Sequence, residues 1–208
     1  MQKGYFISFE GGEGTGKSTQ IKLLYKSLVN KGYDVLLTKE PGGTKIGHKI
    51  RELLLNPSHE TMDARTEILL YAADRVQDLK ENIKPALKAG KIVLADRYVD
   101  SNLIYQGYGR ELGIKWIKKI NEWVIKEYWP DLTILLDLEV KKGLKRAREV
   151  SEGDRLEQEV IEFHQRIRNG YLKMAENESR FEVFNADCSP EKLQARILET
   201  VMKKINQI

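Results

Sequence analysis

Short, nearly continuous apolar runs alternate along this chain with longer stretches in which apolar residues recur every three or four positions. Tyr5-Phe6-Ile7-Ser8-Phe9 is such a run; it ends at Glu10 and a glycine cluster and predicts a strand. Ile21, Leu24 and Leu28 then recur at helical spacing until Gly32 stops them, and Val35-Leu36-Leu37 predicts a second strand. Asp63 to Ala89 reads as a long helix with Ile68, Leu69, Ala72, Val76, Leu79 and Ile83 on its apolar side, kinked or interrupted by Pro85. Ile92-Val93-Leu94-Ala95 and Leu132-Thr133-Ile134-Leu135-Leu136 have the look of strands buried on both faces of a parallel sheet. Phe181 to Phe184 predicts a last strand, and Ser189-Pro190-Glu191 opens a final helix with an N-cap residue, a first-turn proline and an early acid. Strand and helix in alternation imply an α/β fold with a parallel sheet and right-handed crossovers.

Composition narrows the class. The 208 residues contain 41% hydrophobic and 32% charged residues, with no repeat, low-complexity tract or linker, so one soluble domain spanning 1–208 is expected. The net charge of +4 suits an anionic ligand, but the charges are mixed and no polybasic tail marks a nucleic-acid partner. Cys188 is the only cysteine, which excludes an intramolecular disulfide and a multi-cysteine metal site. No apolar run reaches the roughly 18 residues needed to cross a bilayer, and Met1-Gln2-Lys3-Gly4 has no signal-peptide pattern. A cytoplasmic location with no membrane partner is expected.

The strongest chemical signal is Gly11-Gly12-Glu13-Gly14-Thr15-Gly16-Lys17-Ser18, a G-x-x-x-x-G-K-[ST] loop set between a predicted strand and a predicted helix. Its backbone N–H groups and the positive end of the helix would cradle phosphates. Lys17 would reach the β- and γ-phosphates, Ser18 would offer magnesium a hydroxyl, and Gly11 to Thr19 would form the ATP site. Switch GTPases, motor ATPases and small-molecule kinases share such loops, so the acceptor side must decide. A guanine-reading N-K-x-D segment is absent from the sequence.

Further clusters fall at strand ends or in helices: Glu40-Pro41-Gly42-Gly43-Thr44, Leu69-Leu70-Tyr71-Ala72-Ala73-Asp74-Arg75, Asp96-Arg97-Tyr98-Val99-Asp100-Ser101-Asn102, and Tyr105-Gln106-Gly107. In an open parallel sheet the carboxyl ends of the strands surround the ligand crevice. A planar guanidinium after a strand, as at Arg97, suits bidentate contact with a monophosphate. Asp96 is placed to meet magnesium, with an ion pair to Arg97 as the structural alternative. Tyr71 and Arg75, four apart, share a helix face.

In this order, with the P-loop, these segments resemble the thymidylate kinase family, from Phe6 to about Leu172. The resemblance implies a P-loop nucleoside monophosphate kinase fold, a parallel central sheet flanked by helices with a mobile lid at about 146–157. It also implies Mg2+, ATP as donor, dTMP as acceptor, and a homodimer. By resemblance, Arg97 and Arg51 hold the dTMP phosphate, with Glu40 near the same magnesium and phosphate region. An aromatic at Tyr71 (usually phenylalanine in the family) stacks on thymine; Arg75, Asn102 and Gln106 read its polar edge, and Ser101 belongs to the same acceptor site. Tyr105 fills the space of a ribose 2′-hydroxyl, and Glu13 approaches the 3′-hydroxyl.

Phosphoryl transfer needs positive charge on the migrating group. Some members of the family place an arginine in the P-loop just after the acidic residue, where this chain has Gly14. Arg146, Arg148 and Arg155 instead flank Glu149-Val150-Ser151-Glu152-Gly153-Asp154, which resembles a bacterial-type lid closing over ATP. Many such lids carry a further arginine where this chain has Val150, so the sequence leaves open which arginine meets the phosphoryl group. Asn185 to Pro190 and Arg146 are the candidates for contact with adenine. His48, His59 and His164 are scattered, and an already anionic phosphate acceptor needs no strong general base.

Overall fold

The computed structural model describes residues 4–149 and 153–207. Val150, Ser151 and Glu152 of the expected lid lie outside the described residues.

Five parallel strands form one sheet in the order β2-β3-β1-β4-β5: β1 Tyr5–Glu10, β2 Val35–Lys39, β3 Ile92–Asp96, β4 Leu132–Asp137 and β5 Phe181–Asn185. The first strand in sequence thus lies in the centre of the sheet. Its side chains alternate between two cores. Ile7 and Phe9 pack with Leu24, Leu28, Ile197 and Val201, whereas Phe6 packs with Ile83, Val93, Tyr98 and Ile125 on the other side. Phe9 pairs with Asp96, which also pairs with Lys39, so the carboxyl ends of β1, β2 and β3 finish level. That edge positions the functional residues.

Helices α1 Lys17–Asn30 and α9 Pro190–Ile205 pack on each other, and both contribute to the first core. Ser189 caps α9 by accepting from Lys192 N at 3.4 Å, and Pro190 occupies its first turn, as its sequence predicts. Helix α2 spans Lys45–Leu55 and α3 spans Ala64–Asp78, the latter capped by Asp63, which accepts from Arg65 N at 2.8 Å.

The expected single helix from Asp63 to Ala89 is three pieces. After α3 comes a π-helical turn over Leu79–Ile83, then the short α4 over Lys84–Lys88 with Pro85 in its first turn. A proline donates no backbone hydrogen bond, and the widened turn lets the chain continue without demanding one. The expected apolar stripe also splits. Ile68, Ala72, Leu79 and Ile83 are buried, but Leu69 and Val76, seven residues apart, face outward.

A second π-helical segment, Leu103–Gly109, follows the short α5, Val99–Asn102, and carries Tyr105 and Gln106. Helix α6 Ile114–Ile125 packs against α3, α7 Val140–Arg148 leads toward the segment expected as a lid, and α8 Ile161–Ala175 packs on the second π-helical segment. No helix among the described residues is long and apolar enough to cross a membrane.

Candidate active site

A cleft of about 530 Å³ opens along the carboxyl edge of β1, β2 and β3. The P-loop forms one wall, turning from β1 into α1. Lys17 Nζ lies back across the loop and donates to Gly12 O at 2.7 Å and Gly11 O at 3.1 Å. Burial, and then the positive charge of Arg97, push the Lys17 ammonium down to about 8, against the pull of Glu13, Asp96 and Glu10.

Gly14 explains its own identity. It sits at φ 65°, and a Cβ there would lie 1.9 Å from Gly143 O in α7 and 3.1 Å from Ala147 N. The contact is reciprocal, since a Cβ on Gly143 would lie 2.4 Å from Glu13 O. The P-loop and the helix leading to the lid meet backbone to backbone. Where some family members carry a loop arginine, this chain has helix α7.

Ser18 Oγ donates to Asp96 Oδ2 at 3.0 Å, joining the start of α1 to the end of β3. The described residues contain no group of three or more His, Cys, Asp or Glu that could hold an ion by themselves. One hydroxyl and one carboxylate fit magnesium, which keeps several waters and takes phosphate oxygens as its other ligands. The structural alternative for Asp96 does not form, because Arg97 turns to other partners.

Arg97 itself has φ 68°, unusual for a side-chain-bearing residue. Its guanidinium donates to Glu13 Oε1 at 2.7 Å, to Gly11 O at 3.1 Å and to Ser101 Oγ at 3.2 Å, and lies 4.8 Å above the Tyr105 ring. Tyr105 Oη donates to the same Glu13 oxygen at 2.5 Å. Burial would raise the Glu13 carboxyl, but Arg97, Lys17 and the Tyr105 hydroxyl outweigh it and hold the group at about 2. Glu13, Arg97 and Tyr105 therefore form one charged knot at the mouth of the P-loop.

Deeper in the cleft Arg75 is 1% exposed. It pairs with Glu40 at 2.7 Å and donates to Asn121 Oδ1 at 2.7 Å and Asn102 Oδ1 at 3.4 Å. Glu40 lines the cleft and engages Arg75 through Oε2, while its buried Oε1 has no hydrogen-bond partner among the described residues. Asn102 donates to Gln106 Oε1 at 2.6 Å, and Gln106 Nε2 donates to Glu67 Oε1 at 2.7 Å. Tyr71 and Arg51 line the cleft as well, with Arg51 donating to Pro41 O at 2.9 Å.

The three expected lid arginines separate. Arg146 lines the cleft, donates to Ala186 O at 3.3 Å and lies 3.7 Å from Asp187, beside the expected adenine segment. Arg148 is exposed, outside the cleft lining, and forms no ion pair among the described residues. Arg155 is buried; it donates to Leu54 O at 2.9 Å and pairs with Glu67. A buried Arg–Glu pair is costly to break, and Arg155 is not among the residues lining the cleft. No histidine lines the cleft. His164 is buried behind the P-loop, His48 pairs with Glu52 at 3.5 Å, and His59 contacts Leu53 O.

Sequence reasoning passed over several residues here. Glu10, Glu67 and Asn121 are buried partners of the cleft residues, and Lys39, Asp154 and Glu157 line it directly. Glu10 and Lys39 end strands at the crevice edge, a signal that could have marked them; Glu67 and Asn121 reach the site only through tertiary packing.

A P-loop on the central strand, a hydroxyl–carboxylate pair beside it and a second basic pocket across the cleft define a P-loop kinase of the nucleoside monophosphate class. The thymidylate kinase family model matches residues 9–197. The thymidylate kinase of Halothermothrix orenii is 55% identical over 202 residues, covering 96% of this chain and 97% of that protein. That of a Geobacillus species is 50% identical, covering 98% of each. The crystal structure of thymidylate kinase from Ehrlichia chaffeensis superposes with a TM-score of 0.78 at 30% identity, covering 96% of this chain and 99% of that one. This chain belongs to the thymidylate kinase family.

Proposed function

We propose that this protein transfers the γ-phosphoryl group of ATP to dTMP, giving ADP and dTDP, with the residues of the cleft divided as follows. The P-loop from Gly11 to Thr19 and Lys17 hold the donor phosphates. Ser18 and Asp96 hold Mg2+, which when bound neutralises charge on the phosphate oxygens. Arg97 and Arg51 hold the acceptor phosphate, Tyr71 stacks on the base, and Arg75, Asn102 and Gln106 read its edge. Tyr105 excludes a 2′-hydroxyl, while Glu13, kept ionised, accepts from the 3′-hydroxyl. Arg146 serves the donor side, and Arg148 reaches the phosphates only when the lid moves. Arg155 acts as the lid's anchor. Catalysis here is positioning and charge stabilisation, with no general base required.

The observation that carries this reading is the Glu13–Arg97–Tyr105 knot, which sets a phosphate-binding guanidinium within hydrogen-bond reach of the P-loop backbone. ADP release measured with dTMP, dUMP, UMP, dCMP and thymidine tests it. The highest kcat/KM is expected for dTMP, and a higher value with any other acceptor would overturn the assignment. We further propose a cytoplasmic homodimer. Leu69 and Val76 on α3 and Trp116 and Trp123 on the neighbouring α6 are exposed apolar pairs at seven-residue spacing, a pattern that suits a covered helix face. Equilibrium sedimentation as a monomer at micromolar concentration would refute the dimer.

A further inference from the structure

Glu10 is fully buried at the end of β1, just before the P-loop, and is not itself among the residues lining the cleft. Three donors converge on it. Oε1 accepts from Tyr98 N at 2.8 Å; Oε2 accepts from Ser101 Oγ at 2.6 Å and from Tyr171 Oη at 2.8 Å. Tyr98 is the residue after Arg97, so Glu10 grips the backbone on the far side of the left-handed turn at φ 68°. The near side is held by Arg97 N, which donates to Phe9 O at 3.0 Å. Between them, the last two residues of β1 clamp a conformation that is unfavourable for a residue bearing a Cβ. The second grip is on the side chain. Because Ser101 gives its only hydroxyl proton to Glu10, its lone pairs face away and accept from Arg97 at 3.2 Å.

We propose that Glu10 is a positioning residue for phosphoryl transfer, holding Arg97 in register with the P-loop through the Tyr98 amide and the Ser101 hydroxyl. A carboxylate suits the task because it accepts at both oxygens; an amide would offer donors to two hydroxyls and lose the alignment. The inference rests on Arg97 binding the acceptor phosphate, as proposed above.

The experiment is a double-mutant cycle with Glu10→Gln and Arg97→Ala, reading kcat and the KM values for dTMP and ATP separately. Glu10→Gln is expected to lower kcat/KM for dTMP by on the order of 10²-fold, as misplacement of a binding group by an ångström does, while KM for ATP stays within about twofold. On the Arg97→Ala background the same substitution should add less than about threefold, because the residue through which Glu10 acts is gone. A full, additive loss on that background overturns the proposal, as does a Glu10→Gln enzyme with unchanged dTMP kinetics. If Arg97→Ala alone leaves dTMP kinetics intact, the phosphate role of Arg97 fails and this inference falls with it. Should Glu10→Gln not fold, Glu10→Asp keeps the carboxyl group but shortens the reach; unchanged dTMP kinetics in that variant would equally overturn the proposal.

Discussion

Replacing Gly14 by alanine adds one methyl group at the most crowded point between loop and lid helix. That methyl would start 1.9 Å from Gly143 O and 2.7 Å from the Gly143 carbonyl carbon. Closest carbon–oxygen contacts run near 3.3 Å, so α7 would have to retreat by roughly 1.4 Å. The φ of 65° adds about 1–2 kcal/mol for any residue with a Cβ, and overpacking adds about 1–3 kcal/mol more. Gly14→Ala should therefore lose about 2–5 kcal/mol of stability, on the order of 10 °C in Tm for a domain of this size. To the extent that α7 yields, the thermal loss shrinks and KM for ATP rises, because Arg146 then leaves Ala186 and Asp187. Denaturant unfolding together with steady-state kinetics reads both. A variant within about 0.5 kcal/mol of the parent and with an unchanged KM for ATP would refute the close contact. The same geometry predicts that Gly14→Arg, which mimics the loop arginine of other family members, lowers kcat.

Four further outcomes are expected. Arg97→Ala should lose about 10²–10⁴-fold in kcat/KM for dTMP while ATP binding, measured by calorimetry, is kept. Tyr105→Ala should relax discrimination between deoxy- and ribonucleotide acceptors more than Tyr105→Phe, since the ring supplies the bulk. Tyr105→Phe should still raise KM for dTMP, having lost the 2.5 Å bond to Glu13, and competition kinetics with both sugars give the two numbers. Asn121→Ala leaves an Arg75 N–H without its 2.7 Å acceptor, and KM for dTMP should rise about tenfold with kcat little changed. Burial raises the Asp74 carboxyl from 3.8 to about 6, with Asp78 adding to the rise and the Gly42 amide opposing it. Between those two values the folded state keeps a proton that the unfolded chain has lost. Stability from this group is therefore full below about 4 and falls as pH rises through 6, by at most about 3 kcal/mol. Unfolding midpoints of Asp74→Asn from pH 4 to 7 should lack that component, and parallel curves for parent and variant would refute it.

What could be read from the sequence was what is local. Eight contiguous residues contain the P-loop chemistry, and the buried strands announce themselves as apolar runs because both of their faces are covered. Arg97 and Asp96 were legible for the same reason, lying at the end of such a run. Arg155 was not. Its position beside a polar glycine-containing stretch suggests a mobile cation, whereas Glu67, far away in sequence on α3, holds it in the interior. Leu69 and Val76 fit a helical stripe in one dimension, yet the stripe is wider than the face that α3 buries. Pro85 signals an interruption, but periodicity alone does not say that the interruption is a π-helical turn. Glu10 and Asn121 carry no motif; only the packed structure brings them to Arg97 and Arg75.

Glu67 has one more consequence. Its two oxygens accept from Gln106, which lines the cleft, and from Arg155 and Arg110. Any rotation of Gln106 toward a bound nucleotide changes how much of that carboxylate is left for the arginines. On the proposed reading, occupancy of the acceptor pocket and the hold on Arg155 would draw on this one carboxylate, and any coupling between them would be equal in both directions.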